Sequence, residues 1–114
     1  MQVQINTDNN MAGGESLSKW MTQEITTRLN RFGDDLTRIE VHLADLDGSK
    51  QGNNDKRCRI EARLAGRQPV SVTDEADKFA QAFSGAVDKL LRMLDTDLGR
   101  LNDRHGRESI RKPE

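Results

Sequence analysis

Between Ala76 and Leu101 a single apolar stripe keeps a helical period for about seven turns. Its members are Ala76, Phe79, Ala80, Phe83, Val87, Leu90, Leu91, Leu94, Leu98 and Leu101. A helix with one narrow apolar face is marginal alone and needs a second layer to cover that face. Asp74, Glu75 and Asp77 cluster just before it, where the helix dipole favours anions, so Thr73 or Asp74 is the expected cap. The rest of the chain must supply the covering layer from limited material. Of 114 residues, 33% are hydrophobic and 32% charged, which suits one small two-layer domain.

The upstream segments read as that layer. Gln2 to Asn6 alternates, with Val3 and Ile5 on one face, and predicts a short half-buried strand. Residues 7–14 are turn formers. From Glu15 the period changes: Leu17, Trp20, Met21, Ile25, Leu29 and Phe32 mark one helix face, with Gly33 expected to end it in the left-handed conformation. Leu36–Asp45 alternates through Ile39, Val41 and Leu43, and Lys56–Leu64 through Cys58, Ile60, Ala62 and Leu64. A loose loop over 46–55 joins them, and the turn Ala65-Gly66-Arg67-Gln68 leads to a short strand around Val70 and Val72. Pro69 cannot donate to a ladder, so that strand is expected at a sheet edge. The order is β-α-β-β-β-α, an α+β domain over 1–102 with two helices on one face of a four-stranded mixed sheet. Residues 103–114 are polar and read as a flexible tail.

Several function classes are disfavoured. One cysteine cannot form an intrachain disulfide, and two histidines with one cysteine are too few for a four-ligand zinc site. No apolar run approaches the ~18 residues of a membrane span, and Met1 to Ile5 lacks a secretory pattern, so a cytoplasmic domain with no membrane partner is expected. His42 falls on the solvent side of a strand, His105 in the tail, and Cys58 faces the core. No nucleophile, base and orienting group come together, so no enzyme, cofactor or small-molecule substrate is expected. Gly13-Gly14 lies between a strand and a helix but lacks both G-x-G-x-x-G and the P-loop lysine, so it reads as a connection.

Charge placement says more than the net charge of −1. Through Asp55 there are 5 basic and 9 acidic residues; from Lys56 onward there are 13 and 10. Arg38, Arg57, Arg59 and Arg63 stripe the open sheet face, where cross-strand pairing with Glu40 and Glu61 is the favoured role. On the long helix Lys89, Arg92, Arg100 and, with the helix persisting, Arg107 fall within about 80° of one another, nearly opposite the leucines. Asp88 and Asp95 fall on the flank, so this stripe is expected to escape neutralisation along its length. It reads either as a solvated face or as a phosphate-contacting ridge. Trp20, Phe32, Phe79 and Phe83 all occupy helix core positions and there is no tyrosine, so no aromatic stands ready to stack a base. Recognition of structured RNA by shape fits this pattern better than base reading.

These residues resemble a known family. The segment Asp77-Lys78-Phe79-x-x-Ala82-Phe83, then Asp88-Lys89-Leu90-x-Arg92-x-Leu94, is similar to the second helix of the ribosome hibernation-promoting factor and ribosome-associated inhibitor family, also described as sigma-factor modulation proteins. Arg28-Leu29-x-Arg31-Phe32 resembles the end of that family's first helix. The resemblance covers about residues 1–104 and fits the short form without a dimerisation domain. It implies a non-catalytic stress-response protein that docks in the decoding region of the small ribosomal subunit and silences idle ribosomes. Partners would be the subunit and its ribosomal RNA. The RNA-facing cations carry over to Arg28, Arg31, Lys89, Arg92 and Arg100. The chain departs from the family pattern at Thr96 and Asp97, where a cation is expected one turn after Arg92. Against the hibernation reading stands a divergent regulatory or protein-interaction module, with a homodimer through the charged sheet face as its form.

Overall fold

The computed structural model describes the backbone over residues 1–7, 14–46 and 55–111, and side chains over 1–7, 15–46 and 55–96. The two expected loops lie largely outside these residues, as do the side chains of Leu98, Arg100, Leu101, His105 and Arg107. The elements run β1 (Gln2–Asn6), α1 (Gly14–Arg28), a 3-10 turn (Asn30–Phe32), β2 (Leu36–Asp45), β3 (Lys56–Leu64), β4 (Val70–Ala76) and α2 (Phe79–Arg111). The sheet order is β1-β2-β3-β4, with β1 parallel to β2 and both later pairs antiparallel. The β-α-β-β-β-α order and the edge position of β4 thus match the reading from the residues. Among the described residues no helix is long and apolar enough to cross a membrane.

Alternation sorts the strands into two faces. Ile39, Val41, Leu43, Cys58, Ile60, Ala62, Leu64 and Val72 are buried against the helices, with Val3 and Ile5 packed at the rim. Met21, Ile25 and Leu29 come down from α1, and Ala82, Phe83, Ala86, Val87, Leu90 and Leu94 from α2. Leu36 is also buried, although it stands three residues before Ile39 and strict alternation would turn it to solvent. A register shift between Leu36 and Arg38 resolves this: Leu36 pairs with Leu64 while Arg38 pairs with Arg63, so β2 carries one extra residue there.

Four details depart from expectation. First, β4 does not yield to a helix cap at Thr73 or Asp74; Thr73, Asp74, Glu75 and Ala76 pair with Arg59, Cys58, Arg57 and Lys56. The long β3 offers a ladder to the end, and backbone pairing there outweighs local capping preference. Second, α1 ends at Arg28 and tightens into the 3-10 turn, and Gly33 is right-handed at φ −55° and ψ −35°. With three residues per turn, Leu29 and Phe32 eclipse one another and both reach the core. Gly66 is the glycine with positive φ, at 68°, in the β3–β4 turn. Third, Trp20 is 37% exposed, meeting Phe83 edge-on at a centroid distance of 5.4 Å. Fourth, Ala82 and Ala86 carry the buried stripe of α2, while Ala80 is exposed. The helical backbone of α2 also passes Asn102 to reach Arg111.

Gly85 lets α2 lie close to β4. A Cβ built there would stand 1.9 Å from Asp74 Oδ2 and 2.7 Å from its Cγ, but 3.5 Å from its Cβ. Gly85→Ala therefore makes the Asp74 carboxylate turn away from Lys89, which offsets part of a helix-propensity gain of up to about 1 kcal/mol. In an Asp74→Ala background the obstruction is gone, and the same substitution gives the gain in full, up to about 1 kcal/mol. Denaturant melts of the four proteins measure this; an equal gain in both backgrounds rules out the close contact.

Cys58 is fully buried, and burial, reinforced by the Asp74 carboxylate, pushes its thiol from 9.0 up to about 12. Between those values the folded chain keeps a proton that the unfolded chain releases, so stability falls as pH rises. Wild type is expected to lose up to about 1.4 kcal/mol per pH unit relative to Cys58→Ala above pH 9. Urea titrations of both proteins across this range check it, and a constant difference excludes a thiol held protonated by the fold.

Candidate nucleic-acid interface

Five cations were expected to face RNA, and the fold treats them unequally. Arg28, in the last turn of α1, reaches across to α2 and donates from Nη2 to Asp88 Oδ1. Arg31, in the following 3-10 turn, donates from Nη2 to Asp95 Oδ2 at 2.9 Å. Its guanidinium also lies 4.7 Å from the centroid of the Phe32 ring. The end of α1 thus presents two arginines toward the middle of α2, and two carboxylates one helical repeat apart receive them.

Lys89 leaves the outer ridge. Its Nζ lies 3.0 Å from Asp74 Oδ1 and donates to the Thr73 carbonyl oxygen at 2.7 Å. It therefore straps α2 onto the edge strand β4. Arg92 is exposed, and among the described residues its side chain has no ion-pair partner. Arg100 belongs to α2, but its side chain lies outside the described residues.

The expectation that the helical stripe escapes neutralisation fails at Lys89 and holds at Arg92, while the side chains of Arg100 and Arg107 lie outside the described residues. Asp88 and Asp95 do flank the stripe, yet from that flank they hold Arg28 and Arg31, and Asp74 holds Lys89 from the other side. The signal was present in the sequence: Asp88 and Asp95 are seven residues apart, hence almost superposed along the helix axis. What the sequence lacked was the relative placement of α1. The Arg31–Asp95 pair is exposed on both sides, at 60% and 53%, whereas Arg28 and Asp74 are half-buried and their partners Asp88 and Lys89 exposed. Such pairs contribute about 0–1 kcal/mol and exchange readily for other anions.

The open sheet face is largely neutralised. Arg38 pairs with Glu40 at 3.2 Å and Arg59 with Glu61 at 3.3 Å, each along its own strand rather than across strands. Arg57 pairs across strands, with Glu75 of β4 at 2.9 Å. Arg38 also donates to Gln4 Oε1, and His42 sits between Asn6 and Glu40. At the opposite end the Asp45 carboxylate, assisted by Asp55, holds the Lys56 ammonium above its usual range against some desolvation. Arg63 stands outside this lattice of paired charges: it is exposed and has no ion-pair partner among the described residues.

Nothing in the described surface assembles acid–base chemistry. A depression of about 680 Å3 beside the β3–β4 turn is lined by Leu64, Gly66, Arg67, Gln68, Pro69 and Val70, with no carboxylate, histidine or thiol. Among the described residues no group of three or more His, Cys, Asp or Glu side chains could hold a metal ion. The residues best placed to bind anything are the cations where α1 meets α2.

Two solved structures share the fold. The ribosomal subunit interface protein from Coxiella burnetii superposes with a TM-score of 0.62 at 15% identity, covering 84% of this chain and 96% of that one. The N-terminal domain of Thermus thermophilus protein Y superposes with a TM-score of 0.63 at 23% identity, covering 84% and 98%. No curated protein matches the sequence. The family described as sigma 54 modulation protein / S30EA ribosomal protein matches residues 3–102. With α1, β2, β3 and β4 wholly inside that match, β1 inside it from Val3 and α2 inside it through Asn102, the chain belongs to the sigma 54 modulation protein / S30EA ribosomal protein family.

Proposed function

We propose that this protein is a cytoplasmic ribosome-associated factor that binds the decoding region of the small subunit and inhibits translation on idle ribosomes. The observation that carries the reading is the cluster of exposed cations where the end of α1 meets α2, in a chain belonging to a family described by a ribosomal protein. Arg28, Arg31, Lys89, Arg92 and Arg100 are the phosphate contacts on this reading. A folded wedge on the RNA surface inhibits by occupying the path of messenger and transfer RNA. This mechanism needs no catalysis, cofactor, metal or small-molecule substrate.

The near-neutral net charge is compatible with such binding, because affinity for phosphate depends on local contacts and their counterion release. The weak, exposed ion pairs can be traded for phosphates without exposing a buried charge. Phe32 and Phe83 are in the core and offer no stacking platform, and the part-exposed Trp20 is engaged edge-on with Phe83. Recognition by backbone shape is the mode left to a ridge of this kind.

Five contacts set an upper limit of about −3.5 to −4.5 on the log–log salt slope for association with small subunits. Co-sedimentation at low and moderate salt measures it. Lys89→Glu combined with Arg92→Glu is expected to abolish pelleting at moderate salt. Wild-type pelleting by that variant means the contact surface lies elsewhere. Light scattering on the same samples distinguishes the rival module: a dimer lost on reversing Arg57, Arg59 and Arg63, with no pelleting, favours pairing through the sheet face.

A further inference from the structure

We propose that Asp88 and Asp95 are built-in competitors for the phosphates that Arg28 and Arg31 would grip, and that they set the affinity and salt response of this surface. The inference rests on the reading that the surface binds phosphate, and it names how that binding is regulated. Seven residues on an α-helix turn through about 700°, so the two carboxylates stack on one flank about 10.5 Å apart along the axis. That flank faces the end of α1, and each carboxylate accepts from one arginine Nη2. Those terminal nitrogens are donors with the geometry to meet a phosphate oxygen. The carboxylates thus occupy the positions an RNA backbone would need.

The pairs look unlike a structural lock. Each has an exposed carboxylate open to solvent, and Arg31 is exposed as well, so neither is sealed in a low-dielectric surround, and α1 and α2 already share the sheet as a common base. Arg31 is further positioned over the Phe32 ring, which orients its guanidinium whether or not Asp95 is present. When a phosphate displaces Asp88 or Asp95, the freed carboxylate stays beside the RNA backbone and repels it. Salt screens that repulsion as well as the attraction, so each such contact adds less to the salt slope than an unpaired cation does. Arg92, with no partner among the described residues, contributes its full share.

The test uses fluorescence anisotropy with a labelled RNA hairpin across a salt series. Asp88→Asn with Asp95→Asn keeps side-chain size and is expected to bind several-fold more tightly, with a steeper salt slope. Each single substitution is expected to give about half the change, and thermal melts confirm that every variant folds. In a background of Arg28→Gln with Arg31→Gln, removing both carboxylates is expected to give a much smaller gain. No gain, or an equal gain in both backgrounds, overturns the proposal, the latter because the effect is then net charge alone. Small-subunit pelleting separates the two readings. A hairpin gain that depends on the arginines, with no pelleting of wild type, sinks the ribosomal assignment and keeps the competitor role. Wild-type pelleting without that gain does the reverse.

Discussion

The close seating of α2 across β3 and β4 is the contact on which the other features depend. It requires a helix face built from large residues that fill (Phe83, Val87, Leu90, Leu94) and small ones that admit the sheet (Ala82, Ala86). Gly85 extends the small side to the edge, where the Asp74 carboxylate takes the space a side chain would need. Once that seating is set, the helix rotation is set with it. Asp88 and Asp95 must then look toward α1, Lys89 toward β4, and Arg92 to solvent. The electrostatic pattern of the surface is a consequence of how the core packs.

This explains how a chain with net charge −1 presents a basic feature at all. On the open sheet face each of Arg38, Arg57 and Arg59 has a glutamate within 3.3 Å inside the sheet itself, and among the described residues Arg63 is left over. On the helical side the pairs bridge separate elements and, among the described residues, leave Arg92 over. The two faces differ in how their pairs are held, within one sheet or between separate elements. Local potential rather than total charge is what a phosphate surface senses at a Debye length of about 8–10 Å.

Much of the architecture was legible from periodicity. The alternation in Leu36–Asp45 and Lys56–Leu64 and the helical steps from Leu17 to Phe32 are one-dimensional signals of which face is buried, and they survive folding unchanged. Pro69 marked an edge for the same reason: a missing donor is a local property. The errors came where a nonlocal partner decided the outcome. Asp74 and Glu75 look like helix-capping residues until β3 is beside them, and Leu36 looks misplaced until the bulge is seen. The pairing of the site's cations was hidden in the same way. Helical angles placed Asp88 and Asp95 off the cationic ridge correctly, but their neutralising role belongs to Arg28 and Arg31, sixty and more residues away.

The cations are consequently not equivalent, and their geometry ranks them. Lys89 is the least available. Withdrawing it leaves Asp74 beside the buried Cys58 without its counter-charge and removes the donor from the Thr73 carbonyl on an edge strand. Arg28 is next, with its side chain more than two-thirds covered and its partner on a neighbouring helix. Arg31, twice as exposed and oriented by an aromatic ring, is easier to redirect. Arg92 needs no redirecting. Binding that begins at Arg92 and recruits Arg31 and then Arg28 would displace one carboxylate at a time, each step low in cost because both partners remain solvated. Lys89 would be engaged last, when the phosphates already held by its neighbours make up for the strap it gives up. The order follows from burial and pairing alone, and it makes the helix that completes the core also the element that meters out its surface charge.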